Sequence, residues 1–220
     1  MEKVAGVSIP EVNVNSYLAR RTIREILAGI TQQKHSRLKS AADIGAGYGR
    51  LTMVLHEFAD EVHAYEREEG LVEVARSLLP ELFGTNIHLV SSLADLPAET
   101  AKFDFAMTVT VLQHLSDIDA AAALQEIKRV AASGYVLLVE KTDPAASSYN
   151  LKKRLADPGT TFSIGRPVVV YQSWMHPFKL LSTSPRVVEP TFGRSANKPP
   201  QDWMNAGTYM LFCAPSRDDS

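Results

Sequence analysis

From residue 38 onward, short apolar runs alternate with longer segments whose apolar residues recur every three to four positions. "SAADIG" (40–45), "EVHAYE" (61–66), "IHLV" (87–90), "FDFAMTV" (103–109) and "YVLLVE" (135–140) read as strands. Between them, "RLTMVLHEFA" (50–59) places Leu51, Val54, Leu55 and Phe58 on one helical face. "EGLVEVARSLLPELF" (69–83) does the same with Leu71, Val74, Ala75 and Leu78, and "DIDAAAALQEIKRVA" (117–131) with Leu124, Ile127 and Val130. Strands alternating with helices of this length predict βαβ units, hence a doubly wound α/β fold with a mainly parallel sheet and helices on both faces.

Both ends of the chain depart from that rhythm. "SYLARRTIREILAGI" (16–30) predicts an amphipathic helix with Leu18, Ile23, Ile26, Leu27 and Ile30 on one face, capped by Asn15 or Ser16. A polar, basic linker, "TQQKHSRLKS", follows. Beyond Glu140 come turn signals and a weak helix. Pro167 then opens a predicted helix over "PVVVYQSWM". Residues 178–189 and 207–213 read as two last strands, separated by a loop rich in Gly, Pro and Asn. The expected organisation is a single domain, with an N-terminal helix or lid (1–37), a core (38–140) and a cover with the last two strands (141–220).

Composition narrows the partners. The 220 residues are 45% hydrophobic and carry a net charge of -2, enough apolar mass for a core and no field that gathers nucleic acid or anionic lipid. No run approaches transmembrane length, and residues 1–16 lack the apolar stretch of a signal peptide. The single Cys213 precludes an intrachain disulfide, which points to a reducing, cytoplasmic setting. His35, His56, His63, His88 and His176 show no metal-ligand spacing, and neither a phosphate-binding G-x-x-x-x-G-K-[ST] nor a G-x-S-x-G elbow is present.

The sharpest signal is "DIGAGYG", residues 43–49. A glycine-rich turn from the first strand of a parallel sheet into a helix brings bare backbone N–H groups to the edge where ligands bind, so a nucleotide-like ligand is expected there. The dinucleotide fingerprint G-x-G-x-x-G fails at its sixth position, Arg50, which counts against a dehydrogenase. Seventeen residues after Gly49, "VHAYER" ends a strand on Glu66. A carboxylate there can accept from both hydroxyls of a ribose; otherwise it is a solvated strand end.

The pattern D-I-G-x-G-x-G resembles the first motif of the class I S-adenosylmethionine-dependent methyltransferases. The likeness continues through "LVSSLADLPAETAKFDFAMTVTVLQHLSD" and "EIKRVAASGYVLLVE", covering about residues 38–140. It implies a seven-stranded sheet with an antiparallel last strand, S-adenosylmethionine as methyl donor and a small-molecule acceptor. By the same resemblance the donor site comprises Asp43, Gly45, Ala46, Gly47, Gly49, Glu66, Ser92, Leu93, Thr108 and Tyr17. Asp43 and Thr108 would lie near the methionine end and Leu93 at the adenine edge. Ser92 stands where many members carry an aspartate for the adenine amino group, and Asp95 is a second candidate for that contact.

Chemistry at the acceptor is less determined. His114, in the loop beyond the fourth strand, is either a general base or an organiser of its loop. Tyr17, Arg20 and Arg21 can form a lid. Tyr149, Phe162, Arg166, Tyr171 and Trp174, with Phe192, Arg194 and Trp203, are candidate acceptor contacts or ordinary cover. The expected function is methyl transfer to oxygen or nitrogen of a small molecule. The alternative is a non-catalytic donor-binding subunit on the same fold. The acceptor's identity and the oligomeric state are not set by the sequence.

Overall fold

The fold is taken from a computed structural model that describes residues 3–4, 7–83, 86–89, 103–147, 163–186 and 207–215. Seven strands form one sheet: β1 (Leu38–Ile44), β2 (Ala59–Glu66), β3 (Asn86–Leu89), β4 (Phe105–Val109), β5 (Tyr135–Glu140), β6 (Lys179–Pro185) and β7 (Thr208–Cys213). Their order is β3-β2-β1-β4-β5-β7-β6. Neighbours from β3 to β5 are parallel, and β7 runs antiparallel to both β5 and β6. This is the expected seven-stranded doubly wound arrangement. β4 and all but the first residue of β5 are buried, which explains their unbroken apolar runs.

Helices α1 (Ile9–Lys34), α2 (Thr52–Leu55), α3 (Glu69–Phe83), α4 (Asp117–Val130) and α5 (Val168–Met175) accompany the sheet. One core joins Ile23, Leu27 and Ile30 of α1 and Val54 and Leu55 of α2 to Ala41, Val62, Met107, Leu137 and Tyr209. The other joins Leu124, Ile127 and Val130 of α4 and Tyr171 and Met175 of α5 to Ile44, Ala106, Leu138 and Phe212. These two apolar layers hold the strands' carboxyl ends in a fixed row.

Several boundaries differ from the expectation. α1 begins at Ile9, so Asn15 and Ser16 lie inside it rather than at its start; Pro10 falls in its first turn, where a missing N–H is harmless. Its buried stripe is Ala19, Ile23, Leu27 and Ile30, with Leu18 and Ile26 half-buried. The expected linker is mostly the end of α1 and the start of β1. α2 spans four residues instead of ten because the guanidinium of Arg37 captures the chain beyond it, donating to the carbonyls of Glu57 (2.8 Å), His56 (3.2 Å) and Ala59 (2.8 Å). In α3, Val72 and Ala75 are buried and Val74 is exposed, so the face turned inward is rotated from the expected one.

Candidate functional site

β1 leaves the sheet at Gly45, and its next residues cannot continue as an ordinary helix start. Gly45, Gly47 and Gly49 all have positive φ, at 77°, 60° and 86°. A Cβ on Gly45 would run into the Val111 side chain, whereas one on Gly47 would meet nothing within 4 Å. Gly45 is therefore fixed by packing, and Gly47 by backbone conformation with open space before it. The N–H groups of Gly45 and Ala46 donate to the Tyr65 carbonyl (2.8 and 3.1 Å), tying the turn to β2.

Two carboxyl groups bracket the turn. Asp43 is buried and accepts from the Thr52 hydroxyl at 2.6 Å. Burial pushes its pKa up to about 6, against the Thr52 hydrogen bond and the charge of Arg50. Glu66, at the end of β2, accepts the N–H of Gly47 (2.7 Å), of Arg67 (2.7 Å) and of Glu68 (2.9 Å).

Asp43, Gly45, Ala46, Gly47, Tyr48, Arg50, Leu51, Val109 and Thr110 line an open cavity of about 170 Å³. It sits at the carboxyl ends of β1 and β4, the point where the strand order reverses. Thr110 adopts φ 59°, a left-handed conformation that is uncommon for a β-branched residue. Its N–H nevertheless reaches the Val139 carbonyl at 2.8 Å, so neighbouring strands hold it there. The open space at Gly47, the strand-end carboxylate of Glu66 and the buried Asp43 suit a ligand with a ribose and a charged amino-acid end.

The loop after β4 is organised by a residue that the sequence reading passed over. Glu140, fully buried at the end of β5, accepts the N–H groups of Val111 and Leu112 (both 3.1 Å) and of Gln113 (3.0 Å). Its pKa rises to about 7 through burial, with those three hydrogen bonds opposing. From the other side the buried Arg166 donates to Asp117 (2.8 Å) and to the carbonyls of Leu112 (2.8 Å) and Leu115 (2.6 Å). It stacks over Trp174 at 5.6 Å. Arg166, expected among the acceptor contacts, is instead a clasp on this loop. His114 closes a single 3-10 turn, half-buried, with its Nε2 3.2 Å from the Gln113 side-chain nitrogen.

The remaining expected residues are dispersed. Gly49 is buried beneath the turn, and Thr108 lies on the α4 and α5 face of the sheet; neither lines the cavity, where Val109 and Thr110 stand instead. Tyr17 is 65% exposed and outside the lining. Arg21 pairs with Glu25 on the surface, while Arg20 donates to the Arg50 carbonyl at 2.9 Å and so anchors α1 to the turn. Tyr171 and Trp174 pack edge to face on α5 within or against the second core. Ser92, Leu93, Asp95, Tyr149, Phe162, Phe192, Arg194 and Trp203 lie outside the described residues. An acid ending an otherwise apolar strand was the available signal for Glu140; nothing in the sequence marked Thr110. Among the described residues there is no cluster suited to a metal ion and no helix long and apolar enough to cross a membrane.

The methyltransferase-domain family matches residues 41–134, the stretch from β1 to the start of β5. No curated protein matches the chain in sequence. Among solved structures, the chain is similar to a 1,6-didemethyltoxoflavin N1-methyltransferase from Burkholderia thailandensis, solved with bound 1,6-didemethyltoxoflavin and S-adenosylhomocysteine. Identity is 17% and the TM-score 0.64, over 90% of this chain and 79% of that one. It is also similar to a magnesium protoporphyrin IX methyltransferase from Synechocystis PCC 6803 with bound S-adenosylhomocysteine. There identity is 15% and the TM-score 0.66, over 97% and 90% of the two chains. At these identities the structural likeness establishes the fold.

Proposed function

We propose that this protein, an S-adenosylmethionine-dependent methyltransferase with its methyltransferase domain at residues 41–134, methylates a small organic acceptor at oxygen or nitrogen. The observation that carries this reading is the open cavity at the strand-order reversal, with Gly47 facing empty space and its N–H held by Glu66. The donor supplies a methyl group already activated by its sulfonium. The chain's own work is then to hold the acceptor in line and to exclude water.

In this reading Glu66 accepts from the ribose, and the open side of the Gly45–Gly47 turn and Asp43 lie toward the methionine end. Ser92 and Leu93 border the adenine, while Gly49 and Thr108 support the turn and β4 from behind. Tyr17, with Arg20 and Arg21, belongs to a lid over the cavity. His114 takes the proton of a hydroxyl acceptor. Both toxoflavin and protoporphyrin methyltransferases, by their names, act on small ring systems, which favours a compact organic acceptor.

The test is release of S-adenosylhomocysteine from labelled donor in the presence of a panel of small hydroxyl, amine and carboxyl compounds. Acceptor-dependent release supports the reading. Tight donor binding with no acceptor-dependent release across the panel, at any pH from 6 to 9, counts against small-molecule transfer.

A further inference from the structure

The last two residues of β5 hold four consecutive backbone N–H groups of the loop after β4. Thr110 donates to the Val139 carbonyl at 2.8 Å. Val111 and Leu112 donate to Glu140 Oε1, both at 3.1 Å, and Gln113 donates to Oε2 at 3.0 Å. The carbonyls of the same stretch face other partners: Leu112 accepts from Arg166 at 2.8 Å, and Gln113 from the Ile164 N–H at 2.8 Å. Glu140 therefore orients the N–H side of this loop alone.

The held stretch reaches the cavity by two routes. Thr110 lines it, in a left-handed conformation that persists only while its surroundings over-determine it. The Val111 side chain lies over Gly45, in the space that a Cβ on that glycine would need. Gly45 in turn lines the cavity beside Ala46 and Gly47. A shift of the Val111 amide is thus passed to the glycine turn by direct packing.

An uncharged side chain could not orient the loop in the same way. Three N–H donors converge on two oxygens, and an ionised carboxylate offers acceptors alone. A protonated acid, like a glutamine, turns one of its two polar atoms into a donor, which then opposes an N–H of the loop. The charge is costly: Glu140 is fully buried, and burial raises its pKa to about 7 against the three hydrogen bonds and the charge of Arg186. The other titratable groups around it are Tyr171 of α5 and Lys141, next in the chain, whose ammonium donates to the Ala146 carbonyl at 3.0 Å. A buried charge that lowers stability is a mark of a site where geometry depends on it.

We propose that Glu140 is a positioning residue for the donor site, which in its ionised form presses Val111 onto Gly45 and keeps Thr110 in the cavity wall. The proposal rests on the methyltransferase reading above and adds to it a residue that lies behind the wall and touches no ligand. Donor affinity then rises as Glu140 ionises.

The test is calorimetric titration of the protein with S-adenosylhomocysteine at pH 5.5 and pH 8.5, for wild type and Glu140→Gln. Glutamine stands in for the protonated acid. The expected result is binding about tenfold weaker in the variant at pH 8.5, the size of one buried hydrogen bond, shrinking to within twofold at pH 5.5. Asp43 and the ligand's own groups titrate alike in both proteins and cancel from the ratio. Melting curves at each pH show whether both proteins are folded. Val111→Ala serves if the glutamine variant does not melt cooperatively; it removes the contact with Gly45 and should give the same convergence at low pH.

Equal affinities at pH 8.5 would overturn the proposal. So would a deficit of the same size at both pH values, which is what a merely structural role gives. Failure of the wild type to bind S-adenosylhomocysteine at either pH would overturn the methyltransferase reading instead, and the two failures are separate.

Discussion

The Glu66 carboxylate accepts the Gly47 backbone N–H at 2.7 Å, so the end of β2 grips the turn that follows β1. That contact shapes the turn; with the N–H groups of Arg67 and Glu68 on Oε1, one acceptor site remains, on Oε2, for a ribose hydroxyl. Glu66→Ala should therefore weaken S-adenosylhomocysteine binding by about 2–4 kcal/mol, tens to several hundredfold, measured by calorimetry. An affinity within twofold of wild type would place the ribose elsewhere.

Gly47 separates conformation from ligand space. Its φ of 60° costs a side chain about 1–2 kcal/mol, yet no protein atom stands within 4 Å of a Cβ built there. Gly47→Ala should fold, with a modest drop in melting temperature. Gly47→Val should lose S-adenosylhomocysteine binding while it still melts cooperatively. A folded valine variant with wild-type affinity would contradict the donor's placement.

Glu140 makes stability depend on pH in an unusual direction. Its pKa rises from 4.5 to about 7 on folding, so the folded chain holds a proton that the unfolded chain releases. Its contribution is greatest below pH 4.5 and is lost as pH climbs to about 7, a change of about 3 kcal/mol. Asp43, raised to about 6, acts in the same sense. Urea unfolding of the ligand-free protein at pH 5 and pH 8 should show wild type losing more stability than Glu140→Gln. An equal loss in both would remove Glu140 as the source.

Arg166 should matter to stability more than to donor binding. Arg166→Lys keeps one charge but strands the carbonyls of Leu112 or Leu115, at a cost of about 2–3 kcal/mol. Differential scanning calorimetry should show a clear drop in melting temperature, with S-adenosylhomocysteine affinity nearly unchanged. A variant as stable as wild type would show that the clasp contributes nothing.

His114 decides between proton removal and alignment alone. As base for a hydroxyl acceptor, its loss in His114→Ala lowers the maximal rate about 10²–10⁴-fold and spares donor affinity. A variant with full rate at saturating acceptor removes His114 from the chemistry.

The limits of α3 and β5 were legible to the residue, because amphipathic spacing and an unbroken apolar run have one reading each. The glycine turn was legible because positive φ leaves glycine as the natural choice. What the sequence concealed depends on distant partners. α2 stops early where Arg37, some twenty residues upstream, holds the carbonyls of the chain just beyond it. Glu140 and Arg166 reach across to the loop at 111–117 from strands and turns far along the chain; an acid at the end of an apolar strand hints at Glu140, but no local pattern names its partners or those of Arg166. Thr110 is held in a left-handed conformation by β5, against its own preference.

The insertion of β7 between β5 and β6 also fixes the order in which the molecule can be completed during synthesis. When Glu140 emerges, Val136–Val139 have their β4 neighbour but one open edge, and the strand that covers it begins only at Thr208. Until then β5 is an apolar strand with unpaired amides, the kind of edge that joins chain to chain. A chain cut before Thr208 loses more than the strand that covers β5. It acquires an adhesive surface where an enzyme wall should be.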